Sequence, residues 1–175
     1  MLRMLRIYLV GFMGCGKTIA GEALAATLGV PFIDLDRLIC ESFGSTVAQI
    51  FSHHGEPVFR AEEARLLRTT LDRLRVIVST GGGTFCDRSN RAAIHEAGGI
   101  SVFLDVPWRI ISCRLPGKNL DRPKFGNENV ARRLFDERLP AYRKARIHLE
   151  LNGEEAPEEV ARLVVAALPG IPCAT

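Results

Sequence analysis

Gly11-Phe12-Met13-Gly14-Cys15-Gly16-Lys17-Thr18 is the most informative run of residues in the chain. It fits the spacing G-x-x-x-x-G-K-[ST], and it lies between an apolar, β-branched run at residues 6–10 and a segment of helical periodicity. Glycines at these positions let the backbone wrap with its N–H groups turned inward, while the positive end of the following helix faces the same point. Phosphate is the ligand this arrangement selects. Lys17 adds a cation for β and γ phosphates, and the Thr18 hydroxyl is a candidate ligand for Mg²⁺. Gly14, Cys15, Gly16, Lys17 and Thr18 are therefore the expected phosphate-binding residues, with Cys15 read as a small side chain that fits the loop. A dinucleotide fingerprint, G-x-G-x-x-G, needs glycines at a spacing this turn does not offer.

Outward from that loop, short β-branched runs recur at residues 6–10, 31–35, 75–79, 100–105 and 147–151, each separated by a longer helical segment. This alternation predicts an α/β fold with a parallel sheet. Gly29 closes the first helix after Leu28, Ser45 or Thr46 caps the one running through Phe51, and Pro57 opens the helix over 59–71. At 175 residues, with 47% hydrophobic and 25% charged, the chain is expected to form a single domain over 1–175. Lys and Arg exceed Asp and Glu by 23 to 20 with no basic run, which argues against a nucleic-acid partner. No apolar stretch reaches the length of a membrane span, and no signal peptide is evident. Cys15, Cys40, Cys86, Cys113 and Cys173 form no C-x-x-C pair, so a reducing compartment is expected; His53 and His54 read as a surface pair rather than a metal site.

The carboxyl edge of a parallel sheet is where ligands bind, and chemistry-bearing residues cluster at those strand ends. Asp34 and Asp36 close the second strand at i and i+2, on one side of an extended chain. One would hold Mg²⁺ through water, and the other would take the proton of an acceptor hydroxyl. Arg60 shares a helical stripe with Ala64, Leu67 and Leu71, with Glu63 placed to orient it. Arg138 likewise sits on a stripe with Val130, Leu134 and Tyr142. Together with Gly81, Gly82 and Gly83 after the third strand, the two arginines form an expected fork for a small carboxylate or phosphate. Residues 115–127 carry no apolar period and are expected to form a lid, in which Arg122 is a cation that closure brings over the phosphates.

The ordered set G-F-M-G-C-G-K-T, F-I-D-L-D, V-F-R-A-E-E, S-T-G-G-G, V-F-L-D-V, R-P and E-R-L-P-A-Y-R resembles the shikimate kinases, over residues 6–168. The resemblance implies a P-loop three-layer sandwich like that of the nucleoside monophosphate kinases, with five parallel strands in the order 2-3-1-4-5. It implies a monomeric cytoplasmic enzyme of aromatic amino-acid and chorismate synthesis, which transfers the γ-phosphoryl group of Mg·ATP to the 3-hydroxyl of shikimate. By the same resemblance Asp36 is the base, Asp34 organises Mg²⁺, and Arg60, Arg138, Gly82 and Gly83 hold shikimate within a segment near 34–62 and its partners. Arg122 and Lys17 meet the transferring group, while Arg114 and the segment after Asn152 are positional candidates for the nucleotide base. The chain departs from the family pattern in two places. Thr18 stands where serine is common, and Lys124-Phe125 follow Arg122-Pro123 where Leu-Leu is common. A gluconate or nucleoside monophosphate kinase is the rival enzyme, and the arginine pair with the triple glycine favours a compact anionic polyol. A nucleotide-binding module without catalysis is the rival of another class, and its mark would be loss of Asp36, Lys17 or the lid arginine.

Overall fold

The computed structural model describes residues 4–115 and 128–169. Within them five strands form one parallel sheet: β1 (Leu5–Val10), β2 (Phe32–Asp34), β3 (Arg75–Ser79), β4 (Ile100–Asp105) and β5 (Ile147–Glu150). Their spatial order is β2-β3-β1-β4-β5, as the resemblance implies. The helices are α1 (Lys17–Leu28), α2 (Leu35–Phe43), α3 (Val47–Leu71), α4 (Arg88–Glu96), α5 (Trp108–Arg114), α6 (Glu128–Tyr142) and α7 (Pro157–Ala167). Because helices cover both faces, the inner strands carry near-continuous apolar runs; Ile7, Leu9, Val76, Val78, Val102 and Leu104 are all fully or almost fully buried. Among the described residues no helix is long and apolar enough to cross a membrane.

Two features of this frame position the site. First, β1 lies between β3 and β4, with Leu9 in register with both Ser79 and Val102, so the chain order switches at the strand that feeds the phosphate loop. The backbone N–H and the hydroxyl of Thr80 both donate to the Leu9 carbonyl, at 3.1 and 2.8 Å, which ties the start of the triple glycine to the end of β1. Second, Ile39, Ile50 and Phe59 form a small satellite core with Phe43, Val47, Phe51 and Leu66, which fastens α2 to α3. Emptying it by Phe59→Ala would cost about 3–5 kcal/mol.

The helix ends follow from local chemistry. Gly29 closes α1 in the left-handed conformation at φ 60°, as its position predicts. Thr46, rather than Ser45, caps α3 through a reciprocal pair: its hydroxyl accepts from the Gln49 N–H, and the Gln49 side chain accepts from the Thr46 N–H. Gly55, at φ 79° and ψ 165°, breaks α3 into two rods, and Pro57 stands at the start of the second, as expected.

The reading of Asp34 and Asp36 as an extended pair is corrected. β2 stops at Asp34, whose carboxylate caps α2 by accepting from the Arg37 N–H at 3.1 Å; Leu35 is the first helical residue and Asp36 lies in the first turn. A capping aspartate can end a strand and start a helix with no loop between them. The stripe on α6 is also narrower than expected, since Val130 is 47% exposed. Leu115 excepted, the expected lid lies outside the described residues, as do Arg122, Cys173 and the chain from residue 170.

Candidate active site

The phosphate loop is built from backbone. Gly11, Gly14 and Gly16 have φ of 145°, 79° and 90°, values that an L side chain adopts only under strain. A Cβ at Gly11 would also stand 2.9 Å from Cys15 Sγ and 3.1 Å from the Leu104 carbonyl, so that glycine makes room for the buried thiol. Gly16 is the N-cap of α1, which begins at Lys17. The Lys17 side chain is only 8% exposed, and its Nζ donates to the carbonyls of Gly11 (3.0 Å) and Phe12 (2.9 Å), which keeps the ammonium at the loop. The Thr18 hydroxyl donates to Asp34 Oδ2 at 2.6 Å, so the two expected metal ligands are in direct contact. A cleft of about 320 Å³ joins Gly14, Lys17, Thr18, Asp34, Asp36 and Gly82 along one wall.

The other half of the site is built from side chains. Expected as room for a ligand, the three glycines serve first as room for the protein's own groups. A Cβ on Gly81 would lie 2.6 Å from Asp36 Oδ1 and 2.7 Å from Glu63 Oε1; one on Gly83 would lie 2.6 Å from both terminal nitrogens of Arg60. One on Gly82 would lie 3.3 Å from Arg138 Nη1 and 3.6 Å from the Met13 N–H nitrogen of the phosphate loop. Side chains from α2, α3 and α6 thus converge on one tripeptide, and Gly82 is where the two halves meet.

Arg60 is held by Glu63 at 2.8 Å and Glu56 at 3.3 Å and lies over the Phe59 ring. Burial disfavours its charge, but the two carboxylates outweigh that and raise its pKa. Glu63, 1% exposed, also accepts from the Thr84 hydroxyl at 2.7 Å. Burial pushes its carboxyl above the usual range, against the pull of Arg60 and with a small push from Asp36. Tyr142, wholly buried, donates its hydroxyl to the Gly82 carbonyl. Burial keeps that phenol protonated well above the ordinary range, so it remains a donor. Sequence reasoning read Tyr142 as core and passed over Thr84; the available signal was that a buried tyrosine must place its hydroxyl.

Arg114 is brought to the phosphate loop. Its Nη1 donates to the Gly14 carbonyl at 3.2 Å and its Nη2 to the Gly153 carbonyl, in a turn that Glu155 organises by accepting from the N–H groups of Asn152 and Gly153. The two positional candidates for the nucleotide base are therefore neighbours. Among the described residues no group of three or more His, Cys, Asp or Glu side chains could hold a metal ion, and His53 and His54 are exposed.

Residues 13–169 match the family model described as shikimate kinase. The chain belongs to the shikimate kinase family. It is accordingly an ATP-dependent small-molecule kinase. It is 34% identical over 174 residues to the shikimate kinase of a Nostoc species, covering 98% of this chain and 94% of the relative. It is 40% identical to that of Novosphingobium aromaticivorans, covering 93% and 86%. Among solved structures it is similar to shikimate kinase from Acinetobacter baumannii in complex with shikimate, with a TM-score of 0.86, 34% identity, and coverage of 92% of this chain and 90% of that one. A gluconokinase from Sinorhizobium meliloti, 20% identical with a TM-score of 0.60, shares the fold.

Proposed function

We propose that the site transfers the γ-phosphoryl group of ATP to the 3-hydroxyl of shikimate, with Asp36 as the base. The observation that carries this is the position of Asp36. Its carboxylate borders the same cleft as Lys17 and Thr18 while touching the Gly81 position that Glu63 also crowds. Shikimate, a small polyol acid, is assigned to the side of Gly82 where the arginines gather: Arg60 and Arg138, which crowd Gly83 and Gly82, with the backbone of those glycines receive its carboxylate and ring hydroxyls. Asp36 accepts the proton of the 3-hydroxyl as its oxygen bonds to the γ phosphorus and the bond to the β-phosphate oxygen breaks, leaving ADP. The loop N–H groups and Lys17 hold the phosphates and meet the charge that develops on them. Arg122 is assigned to the same charge, and Arg114 to the base end of the nucleotide.

A hydroxyl and a carboxylate 2.6 Å apart at the mouth of a phosphate loop are hard oxygen donors, which suits Mg²⁺. That ion keeps several waters and binds through few protein ligands plus substrate phosphates, so a large cage is not required. Thr18 and, through water, Asp34 would hold it, and it would neutralise phosphate charge. We further assign the chain to the cytoplasm as a single-domain monomer, for which sedimentation at a mass near 19.3 kDa is the check.

The deciding experiment is an ADP-release assay with Mg·ATP that compares shikimate, gluconate, quinate and nucleoside monophosphates at equal concentration. Turnover is expected with shikimate alone. Asp36→Asn is expected to lower kcat by about 10²-fold or more while the KM for ATP stays within a few-fold of the parent. Turnover near the parent's would remove Asp36 from the role of base.

A further inference from the structure

The inference rests on the reading of Arg138 as a ligand of the acceptor carboxylate, and it concerns Phe12. This residue is the second of the phosphate loop, at a position where the G-x-x-x-x-G-K-[ST] spacing asks for no particular side chain. Its ring is buried between elements of the opposite half of the sheet. Phe135 on α6 meets it edge to face at 5.5 Å between centroids, and Trp108 at the start of α5 does so at 6.2 Å. Arg138, three residues beyond Phe135 on the same helix, carries its guanidinium carbon 5.9 Å from the Phe12 centroid. Nη1 of that guanidinium is the atom that stands 3.3 Å from the Cβ position of Gly82. Through its main chain, Phe12 also accepts from Lys17 Nζ at 2.9 Å. One residue therefore bears on the cation assigned to the phosphates and on the cation assigned to the acceptor.

An arginine has many rotamers, and three neighbours restrict this one: Gly82, which by lacking a side chain admits Nη1, the Tyr142 hydroxyl, to which the guanidinium is hydrogen-bonded, and the face of the Phe12 ring, whose quadrupole attracts it. The ring cannot turn away freely, because it is buried and packs in T-shaped contacts with Trp108 and Phe135. We infer that Phe12 is a positioning residue for the acceptor, its ring fixing the Arg138 guanidinium against Gly82 so that binding of the acceptor acid depends on the shape of the phosphate loop.

The test is a double-variant cycle with Phe12→Leu, Arg138→Ala and the two combined, reading kcat, both KM values and Tm. Phe12→Leu is expected to raise the KM for shikimate about fivefold, while the KM for ATP moves less than about twofold because the loop backbone is retained. In the Arg138→Ala background the same change is expected to alter the KM for shikimate by less than about twofold, since the group it positions is gone. Ile77→Val, a buried change within β3 at a residue that does not line the cleft, controls for loss of stability alone and is expected to leave both KM values unchanged. Phe12→Met provides a second variant should the leucine fail to fold. If Arg138→Ala raises the KM for shikimate and Phe12→Leu does not, or if the two effects multiply, the positioning role is overturned. If Arg138→Ala itself leaves that KM unchanged, the acceptor role of Arg138 fails first and the inference falls with it.

Discussion

The two halves of the site are made by different means. The phosphate half comes from eight consecutive residues, and its donors are peptide N–H groups whose direction is set by glycines with positive φ. The acceptor half comes from α2, α3, the tripeptide after β3, and α6, and its groups are side chains packed against glycines that would otherwise collide with them. A backbone cradle is nearly complete once its own sequence is specified. A side-chain pocket is complete only when every element that contributes to it has docked, so its errors and its specificity both come from distant packing.

The largest expected effect comes from removing the lysine that the phosphate loop holds beside its backbone donors. Lys17→Ala is expected to lower kcat by about 10³-fold, measured by ADP release at saturating substrates, with Tm within a few degrees of the parent. A change below about tenfold would mean that the N–H cradle suffices without the cation. The next contrast sets two glycines against each other. Gly81→Ala brings a Cβ to 2.6 Å from Asp36 Oδ1 and 2.7 Å from Glu63 Oε1, so kcat is expected to fall about 30-fold with a stability loss of about 1–3 kcal/mol, and the KM for ATP near the parent's. At Gly14 the nearest atoms to a Cβ are 3.7 Å away and only the φ of 79° opposes the change, so Gly14→Ala is expected to act on ATP binding and spare shikimate. If both alanines raise the same KM, the halves are not separable.

Smaller effects sharpen the boundary. Arg114→Ala is expected to raise the KM for ATP about three- to fivefold and leave the KM for shikimate unchanged, because its partners are the Gly14 and Gly153 carbonyls. Glu63 supplies a pH signature. Its folded pKa is raised above the ordinary value of 4.5, chiefly by burial, so folding takes up a proton there. The associated stability is fully present below about 4.5 and is lost as pH rises through the folded value. Thermal melts from pH 4.5 towards neutrality are therefore expected to show the stability of the parent declining relative to Glu63→Gln. A gap that widens instead would show that the pair with Arg60 outweighs burial.

Much of this was open to reading along the chain. Strand positions, the helix stop at Gly29, the helix start at Pro57, the phosphate loop and the family resemblance all rest on local spacing or on an ordered set of short motifs. Asp34 shows where such reading stops. A D-x-D after a β-branched run looks extended, and only its capping bond to the Arg37 N–H turns the chain at Leu35 and moves Asp36 onto a helix. Tyr142 shows another limit: its periodicity marks it as buried, but no periodicity names its partner, and that partner, Gly82, is 60 residues away.

The set of groups and the local turns that present phosphate donors follow from the order of residues, because backbone conformation at glycine, capping residues and strand ends is governed by neighbours within a few positions. Which of those groups meet was set by tertiary packing. Asp36 and Glu63 meet at Gly81, Arg60 fills the space at Gly83, and Arg138 lies between Gly82 and the Phe12 ring because separate helices pack onto one sheet edge, and such contacts between residues far apart in the chain are set by the docking of whole elements.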